Sequence, residues 1–376
     1  MKRAVSHCGA ALLATALGAA AVARAAPVGV TAESGVGVYA DGDATTVVSP
    51  HARAAYNDVR GMSLHAGWVA DVISSASVDV VTAATGRFHD VRQEVSVGGG
   101  FERHHKGFDA GYAFSWENDT RAHTASLGGA MTWGDNLETR LHYNFNLTSL
   151  GRVLEPPSQW RDMMVHGFEA AALHPIGPRG TVELVLSGYY ATGYQANPYR
   201  KVPVVSGAGT LAGALWFDEV VPDTRFRFAA TVRARYALHT RVIGAAEYRF
   251  YRDTWGLQAH TGEVRLVVDA WAGLTLEARE RFYAQGASDL YREVYTGPRV
   301  YMTRDRRQSA FVANTAGVAV GYTWKRKRVA RLAVRVAADA MVADFEHYLR
   351  PSGKGDLVPY GWQTALLGNA ALEGDF

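Results

Sequence analysis

Residues 224–285 constrain the fold of this chain most, because polar and apolar side chains alternate along them in four successive segments. In the first segment Arg225 and Arg227 fall on one parity, and Phe226 and Phe228 fall on the other. A period of two residues places successive side chains on opposite faces of a β-strand. Each segment therefore predicts a strand that lies between two environments, one apolar and one charged.

This alternation fits two kinds of all-β protein. In a soluble sandwich the apolar face of each strand packs into a core and the polar face contacts water. In a membrane barrel the apolar face contacts lipid and the polar face lines the lumen. Alternation cannot separate the two, so the choice depends on an export signal, on aromatic residues at the strand ends and on the lengths of the connections.

The first 25 residues have the organisation of a secretory signal peptide. Lys2 and Arg3 precede an apolar, alanine-rich run over residues 8–22, and the sequence Ala-Arg-Ala that ends at Ala25 predicts cleavage there. The apolar run is shorter than the ~20 residues that a membrane-spanning helix needs. We therefore expect a peptide that directs export and is then removed.

Removal of this peptide changes what the composition implies. The only cysteine, Cys8, leaves with it, so the mature chain would have no disulfide, no thiol chemistry and no cysteine metal site. Three of the 39 basic residues also leave, so the number of basic residues that remain equals the 36 acidic residues. A mature chain of about zero net charge gives no indication of nucleic-acid binding.

The composition after the signal peptide excludes membrane helices but still favours a membrane. Of all residues 48% are hydrophobic and 39 are glycine, yet no stretch after residue 25 is long and apolar enough to cross a bilayer as a helix. Such a chain can enter a membrane only as strands that close into a barrel.

Sixteen candidate strands follow from residue 33 to the end of the chain. The two candidates with the weakest pattern lie near residues 33–40 and 46–57. If these two form a periplasmic extension, the barrel has fourteen strands, which is the alternative. Short and long connections then alternate, like the tight periplasmic turns and larger external loops of a bacterial outer-membrane barrel. We therefore predict an antiparallel up-and-down barrel over residues 26–376, after a signal peptide over residues 1–25. The long connections are 73–87, 150–162, 195–222, 286–308 and 346–361.

Aromatic residues support this arrangement. Trp133, Trp271 and Trp324 lie at the predicted tight turns, and most of the other tryptophans lie near the opposite strand ends, as two interfacial girdles would. The chain ends on Phe376 in an apolar parity, which resembles the terminal strand that the barrel-assembly machinery recognises in its clients. We expect contact with that machinery during biogenesis and with outer-membrane lipids afterwards.

Five segments of the chain carry a family resemblance, and residues 248–261, which read YRFYRDTWGLQAHT, are the most specific of them. The others are 71–85, 116–119, 197–200 and 281–285. Together they resemble the bacterial outer-membrane proteins catalogued as domain of unknown function 3570. The resemblance spans most of the mature chain and implies an outer-membrane barrel, with no established activity to carry over.

The resemblance also implies a setting in the cell envelope. Proteins similar to this family are often encoded near a periplasmic thioredoxin-like protein and a flavin transferase. This implies a periplasmic partner in a redox or envelope-maturation context. No residue pattern in the chain itself identifies that partner, and none points to a cofactor.

The charged parity of the four strands within residues 224–285 is the strongest constellation for function. Arginines outnumber carboxylates in it, and a basic pore wall of this kind selects anions. The alternative is an ionic network that fills the barrel and braces its strands, because unpaired charges in a narrow, partly dry lumen cost several kcal/mol each. The set comprises Arg225, Arg227, Arg233, Arg235, Glu247, Arg249, Glu263, Arg265, Asp269, Glu277, Arg279 and Arg281.

Other patterns give no catalytic or metal site. The predicted loop over residues 71–85 carries Asp71, Ser74, Ser77 and Asp79, oxygen ligands whose spacing matches no known calcium loop, so we expect a hydrogen-bonded loop at the barrel mouth. We find no Ser, His and acidic residue at one level of an apolar face and no Gly-x-Ser-x-Gly elbow. We therefore predict that the protein is not an enzyme.

The sequence thus predicts an outer-membrane barrel of a Gram-negative bacterium that acts as a pore for small polar or anionic solutes through an arginine-rich lumen. The alternative is a closed, ion-pair-filled barrel that serves as an anchor or scaffold for periplasmic or redox-maturation partners. The two hypotheses differ in whether the loops and the charged lumen leave a path for water.

Overall fold

The computed structural model describes residues 28–75, 88–134, 136–205, 214–325, 331–351 and 357–376. The predicted signal peptide lies outside these ranges. The described chain consists of eighteen strands and two 3-10 turns, and it has no helix that is long and apolar enough to cross a membrane. The strands are β1 (Gly29–Asp41), β2 (Thr46–Asn57), β3 (Met62–Ser75), β4 (Phe88–Arg103), β5 (Lys106–Trp116), β6 (Thr120–Trp133), β7 (Leu137–Leu150), β8 (Arg161–Ile176), β9 (Gly180–Gly193), β10 (Lys201–Val204), β11 (Leu215–Asp218), β12 (Thr224–His239), β13 (Val242–Asp253), β14 (Gln258–Trp271), β15 (Leu274–Gln285), β16 (Phe311–Lys325), β17 (Arg331–Pro351) and β18 (Leu357–Asp375). The 3-10 turns are Pro157–Gln159 and Arg306–Gln308.

Sixteen of these strands close into one antiparallel barrel. Each pairs with its neighbours along the chain, except that β9 pairs with β12, because β10 and β11 form a separate two-stranded sheet between them. The barrel closes where β1 pairs with β18, from Thr31 opposite Asp375 to Asp41 opposite Ala365. The predicted barrel of sixteen strands is confirmed, and the alternative of fourteen is wrong because the first hairpin completes the ring.

The exposure of the side chains shows which parity faces outward. On β12 the apolar residues Phe226, Val232 and Tyr236 are 44%, 46% and 48% exposed, whereas Ala229 and Thr231 of the other parity are 2% and 5% exposed. A barrel whose outer surface is formed by large apolar side chains has the surface that lipid requires. The apolar parity therefore faces the membrane and the charged parity faces the lumen.

Three tyrosine–histidine pairs on the outward parity are a feature that the sequence analysis missed. In each pair the tyrosine hydroxyl contacts Nδ1 of a histidine on the next strand, and that histidine stands opposite a phenylalanine. Rings with one polar tip suit the boundary between lipid and water. The pairs are Tyr112 with His123 (2.6 Å), Tyr143 with His166 (2.9 Å) and Tyr248 with His260 (2.7 Å).

Tight turns join the strands at one end of the barrel, the turn end, and the long connections lie at the other, the loop end. Two of the predicted long connections are partly wrong. β17 continues to Pro351 and β18 begins at Leu357, so most of the predicted loop 346–361 is strand that extends past its neighbours. The predicted loop 195–222 contains the β10–β11 hairpin. Both errors have one cause, because each segment forms a hairpin of its own that lacks the regular alternation of a lipid-facing strand.

A charge on the lipid face tests the orientation of the strands. We expect Val232→Arg to lower the free energy of unfolding by about 2–4 kcal/mol, because the guanidinium would lose its water at the middle of the membrane. Urea unfolding of the protein refolded into phospholipid vesicles measures this value. Val59 is 82% exposed between β2 and β3, so Val59→Arg is the control and should cost less than about 0.5 kcal/mol. Equal losses in the two variants would contradict a lipid-facing Val232.

Candidate functional site

The predicted lumen residues all lie on the inward parity of four neighbouring strands, β12 to β15. Strand register arranges them in rows that run around the barrel. In one such row Arg233 stands opposite Glu247, Glu247 opposite Glu263, and Glu263 opposite Arg281. Side chains that are 14 to 18 residues apart in the sequence therefore come within reach of one another.

The centre of the lumen network is Arg233. Its Nε lies 2.6 Å from Oε2 of Glu247, and its Nη1 lies 3.2 Å from Oε2 of Glu183 on β9. Glu183 also accepts from Arg140, which reaches it from β7 across the whole of β8. The sequence analysis missed both Glu183 and Arg140, because they lie on strands outside the segment where the charge alternation is clearest.

A second group of ion pairs continues the network toward β17. Arg265 contacts Glu263 at 2.7 Å and Glu277 at 3.4 Å. Glu277 also accepts from Arg335 of β17 at 2.7 Å. These pairs link three strands, so they brace the barrel wall from the inside.

Arg279 and Asp339 form a bidentate pair that crosses a strand. Nε of Arg279 lies 2.7 Å from Oδ1 of Asp339, and Nη2 lies 2.7 Å from Oδ2. Gly317 stands between the two residues in register, and a Cβ built on it would lie 1.8 Å from Oδ1 of Asp339. Glycine is therefore the residue that lets this pair form across β16.

Arg225 marks the loop end of the network. Its guanidinium binds the carboxylate of Asp253 and lies 4.1 Å from the ring centre of Trp255. The other oxygen of Asp253 accepts from the backbone N–H groups of Trp255 and Leu257 at 2.9 and 3.1 Å. One carboxylate thus orients the arginine and shapes the turn between β13 and β14.

Four of the predicted lumen arginines, in contrast, have no hydrogen-bond or ion-pair partner among the described residues. One of the four predicted carboxylates, Asp269, accepts from the hydroxyl of Thr275 at 3.2 Å. It contacts none of these four arginines. The remaining carboxylates of the set are already paired with other arginines. The four residues are Arg227, Arg235, Arg249 and Arg281.

Two long connections meet over the loop end and form what we call the lid, which comprises residues 195–205, 214–222 and 286–310. The lid has its own apolar cluster, in which Val202, Tyr295 and Met302 are buried and Phe217 packs against them. Backbone bonds join its two parts, including one from the N–H of Val205 to the carbonyl of Tyr295 at 2.8 Å. The lid is therefore a packed unit that neither connection could form alone.

Buried charges lock the two parts of the lid together. Nη1 of Arg200 lies 3.0 Å from Glu219 on its own hairpin and 3.4 Å from Asp305 on the other connection. Glu219 accepts from the hydroxyl of Thr303, and Arg307 also binds Asp305. Burial of the Asp305 carboxyl opposes its ionisation, but Arg200 and Arg307 beside it outweigh burial and hold its pKa well below the ordinary value.

The lid is attached to the barrel mouth at separate points around the ring. The hydroxyl of Tyr199 donates to Asp119, at the turn between β5 and β6, at 2.7 Å. Arg306 donates to Asp43, at the turn between β1 and β2, at 2.7 Å, and Arg304 donates to the carbonyl of Leu349 on β17 at 2.7 Å. The lid therefore crosses the loop end instead of standing outside it.

The predicted oxygen-rich loop is only partly a loop. β3 continues to Ser75, so Asp71 and Ser74 are strand residues of opposite parity, and this part of the prediction is wrong. Asp71 accepts from the hydroxyl of Ser49 at 2.6 Å and lies 3.8 Å from Arg92. The hydrogen bonds of the β2–β3–β4 ladder hold this end of the strand. Ser77 and Asp79 lie outside the described residues.

Comparison with protein families gives a match that contains the whole lumen set. Residues 176–341 match the model of a family described as "Protein of unknown function (DUF3570)". The resemblance predicted from the sequence is thereby confirmed. Comparison with curated proteins found no match.

Comparison with solved structures supports the fold. The chain resembles a structure titled "Bacterial polysaccharide outer membrane secretin" with 10% identity and a TM-score of 0.51, over 92% of this chain and 98% of that one. It also matches the crystal structure of a Pseudomonas aeruginosa FadL homologue with 10% identity and a TM-score of 0.45, over 93% and 90% of the two chains. The first likeness shows the fold of an outer-membrane barrel, and nothing further follows from the second.

A methyl group at Gly317 tests the pair that crosses β16. We expect Gly317→Ala to lower the free energy of unfolding by about 1–3 kcal/mol, because its Cβ would displace the Asp339 carboxylate from Arg279. Gly262→Ala is the matched control, since a Cβ there meets nothing within 4 Å. Urea unfolding in vesicles compares the two variants. A Gly317→Ala protein as stable as the control would mean that the pair does not brace the barrel.

Removal of the buried carboxylate tests the lid. Loss of one partner of a buried ion pair costs about 3–5 kcal/mol, so Asp305→Asn should speed amide hydrogen exchange in β10 and β11 about a hundredfold or more. Asp218, on the same hairpin, has a side chain that is 61% exposed, so Asp218→Asn is the control and should change exchange little. Exchange that is unchanged in Asp305→Asn would contradict the lock.

The same carboxylate gives the lid a pH dependence. The pKa of Asp305 is lower in the folded lid than its ordinary value of 3.8. The ionised carboxylate therefore stabilises the lid fully above about pH 5, and this stabilisation declines as the pH falls below 3.8. Hydrogen exchange, corrected for the intrinsic rate at each pH, should show this decline in the wild type and lack it in Asp305→Asn.

Proposed function

We propose that the protein passes small polar solutes, with a preference for anions, across the outer membrane of a Gram-negative bacterium. The observation that carries this proposal is the set of four lumen arginines without a carboxylate partner in the described chain. A wall with surplus positive charge and low-dielectric surroundings attracts anions and repels cations. The fold of an outer-membrane barrel, which this chain shares, suits such a path.

The paired part of the network supports the same proposal. Arg233, Arg265 and Arg279 each bind carboxylates, so their side chains are held against the wall and not across the lumen. Paired charges brace the strands, and the unpaired ones remain to contact a solute. The wall thus combines the two roles that the sequence left as alternatives.

The lid favours a second candidate function. Connections that lie over the mouth and are tied to several points around it suit a closed barrel that anchors or orders a periplasmic partner. In that case the unpaired arginines would lie in a sealed chamber. Both candidates are roles of a transport or scaffold protein and neither requires catalysis.

Electrical recording separates the two candidates. The purified mature protein, refolded and inserted in a planar bilayer under asymmetric potassium chloride, should give stable current steps and a reversal potential that favours chloride. We expect Arg235→Glu to lower the ratio of chloride to potassium permeability at least about twofold, because it reverses a charge on the unpaired wall. Arg60→Glu makes the same change in the exposed turn between β2 and β3 and should leave the ratio unchanged. A folded barrel without current would overturn passage and favour the scaffold.

A further inference from the structure

A groove lies in the lipid-facing surface of strands β5 to β9 and β12, and we call it the wall groove. It has a volume of about 640 Å³. Its floor includes the small residues Gly129, Ala170 and Gly188, and large apolar side chains that are 38–67% exposed stand around it. These side chains are Phe108, Leu127, Leu141, Phe168, Leu186 and Phe228.

Strand register produces the groove by placing small residues beside large ones. In one row Phe228 stands opposite Gly188, and Gly188 stands opposite Phe168. In the adjacent row Ala170 stands opposite Leu186. Each small residue leaves a gap between rings or branched chains, and the gaps adjoin because the two rows are neighbours on the same face.

The wall groove runs obliquely from the turn end of the barrel to the external edge of its lipid face. Phe108 is the third residue of β5, counted from the turn end. Phe228, in contrast, is ten residues from Leu238, which lies near the turn end of β12. Ten residues of a strand tilted by about 40° rise about 25 Å, which is the height of the apolar band of a barrel. The upper end of the groove therefore lies at the boundary between lipid and external water.

Polar side chains on the outward parity adjoin this upper end. Arg252 stands opposite Phe228, and its exposed guanidinium has no hydrogen-bond or ion-pair partner among the described residues. Gln258 stands opposite Arg252, and His260 is two residues further along β14 on the same face. Nδ1 of His260 contacts the hydroxyl of Tyr248 at 2.7 Å, so its Nε2 remains to contact a ligand. Arg252, Gln258 and His260 form what we call the edge cluster.

The chemistry of the edge cluster suits a head group that carries both a phosphate and sugar hydroxyls. The Arg252 guanidinium can donate two parallel hydrogen bonds to a phosphate. The Gln258 amide and the His260 imidazole each donate and accept, as contacts with hydroxyl groups require. A lipid whose head group binds here has its acyl chains beside the wall groove.

The groove supplies the shape that such a lipid needs. Lipid chains are as apolar as the leucine and phenylalanine side chains of the wall, so binding within the membrane depends on close packing and on polar contacts. A recess fits one chain more closely than a smooth wall does. Selectivity then follows from the polar groups at its upper end.

We propose that the wall groove and the edge cluster bind a phosphorylated glycolipid of the outer leaflet, with its phosphate on Arg252 and one acyl chain in the groove. The lower end of the groove, near Phe108, offers the ammonium of Lys106, a point charge on a flexible chain. Three polar side chains converge at the upper end, which favours a head group there. The site lies on the outer surface of the barrel, so it does not depend on passage through the lumen.

Native mass spectrometry of the purified mature protein, refolded in detergent, tests the site. The probes are lipid A, which is a phosphorylated and acylated disaccharide, and phosphatidylethanolamine. We expect lipid A to form a 1:1 complex at a concentration about tenfold lower than phosphatidylethanolamine. Arg252→Gln should weaken the binding of lipid A about tenfold or more, because it removes charged hydrogen bonds to the phosphate.

Two matched controls accompany the variants. Lys106→Gln removes a cation at the lower end of the groove and should leave the affinity for lipid A within about twofold of the wild type. Ala170→Phe fills the groove and should weaken binding about tenfold. Ala338→Phe makes the same change at an exposed position of β17, opposite Val318, and should have no effect. The heat-dependent shift in gel mobility that folded barrels show ensures that each variant is folded.

Three outcomes would overturn the proposal. Binding of phosphatidylethanolamine as tight as that of lipid A would mean that the surface holds lipid without selection. Loss of binding in Lys106→Gln but not in Arg252→Gln would assign the groove to a phospholipid of the inner leaflet. Equal effects of Ala170→Phe and Ala338→Phe would mean that the groove holds no chain.

Discussion

The closed ladder of backbone hydrogen bonds is the constraint on which the rest of this structure depends. In lipid an unpaired N–H or C=O group has no water to contact, so the strands must pair around the full ring. The contact between β1 and β18 completes that ring and makes the weakest strands of the sequence indispensable. Closure also divides every strand into a lipid face and a lumen face, which forces the charged residues to share one enclosed space.

Register then decides which of those charges meet. Arg279 pairs with Asp339 because both align with Gly317, and Arg140 reaches Glu183 across β8. The pairs satisfy most lumen carboxylates and hold their arginines against the wall. Four arginines of the β12–β15 set remain without such a partner among the described residues. Register therefore decides which charges brace the strands and which are left unpaired.

The lid depends on a different kind of interaction. Its two connections are far apart in sequence, and their apolar cluster and the Arg200, Glu219 and Asp305 contacts exist only when both are in place. Because these charges are buried together, the lid is specific in geometry and sensitive to loss of any one partner. Arg307 of the lid interacts electrostatically with Arg227, so the lid reaches the loop end of the lumen wall.

The sequence by itself determined the barrel, its sixteen strands, the inward parity from Arg225 to Arg281 and the family resemblance, because strand alternation and the lipid solvent are local constraints repeated along the chain. It could not determine which arginines are paired. Arg227 and Arg233 have the same parity on the same strand, and only the neighbouring strands give Arg233 its carboxylates. It also missed the lid and the extended β17, since these segments lack the regular alternation that marks a lipid-facing strand. Tertiary structure decided these features, because ion pairing and loop packing depend on distances that only closure of the ring fixes.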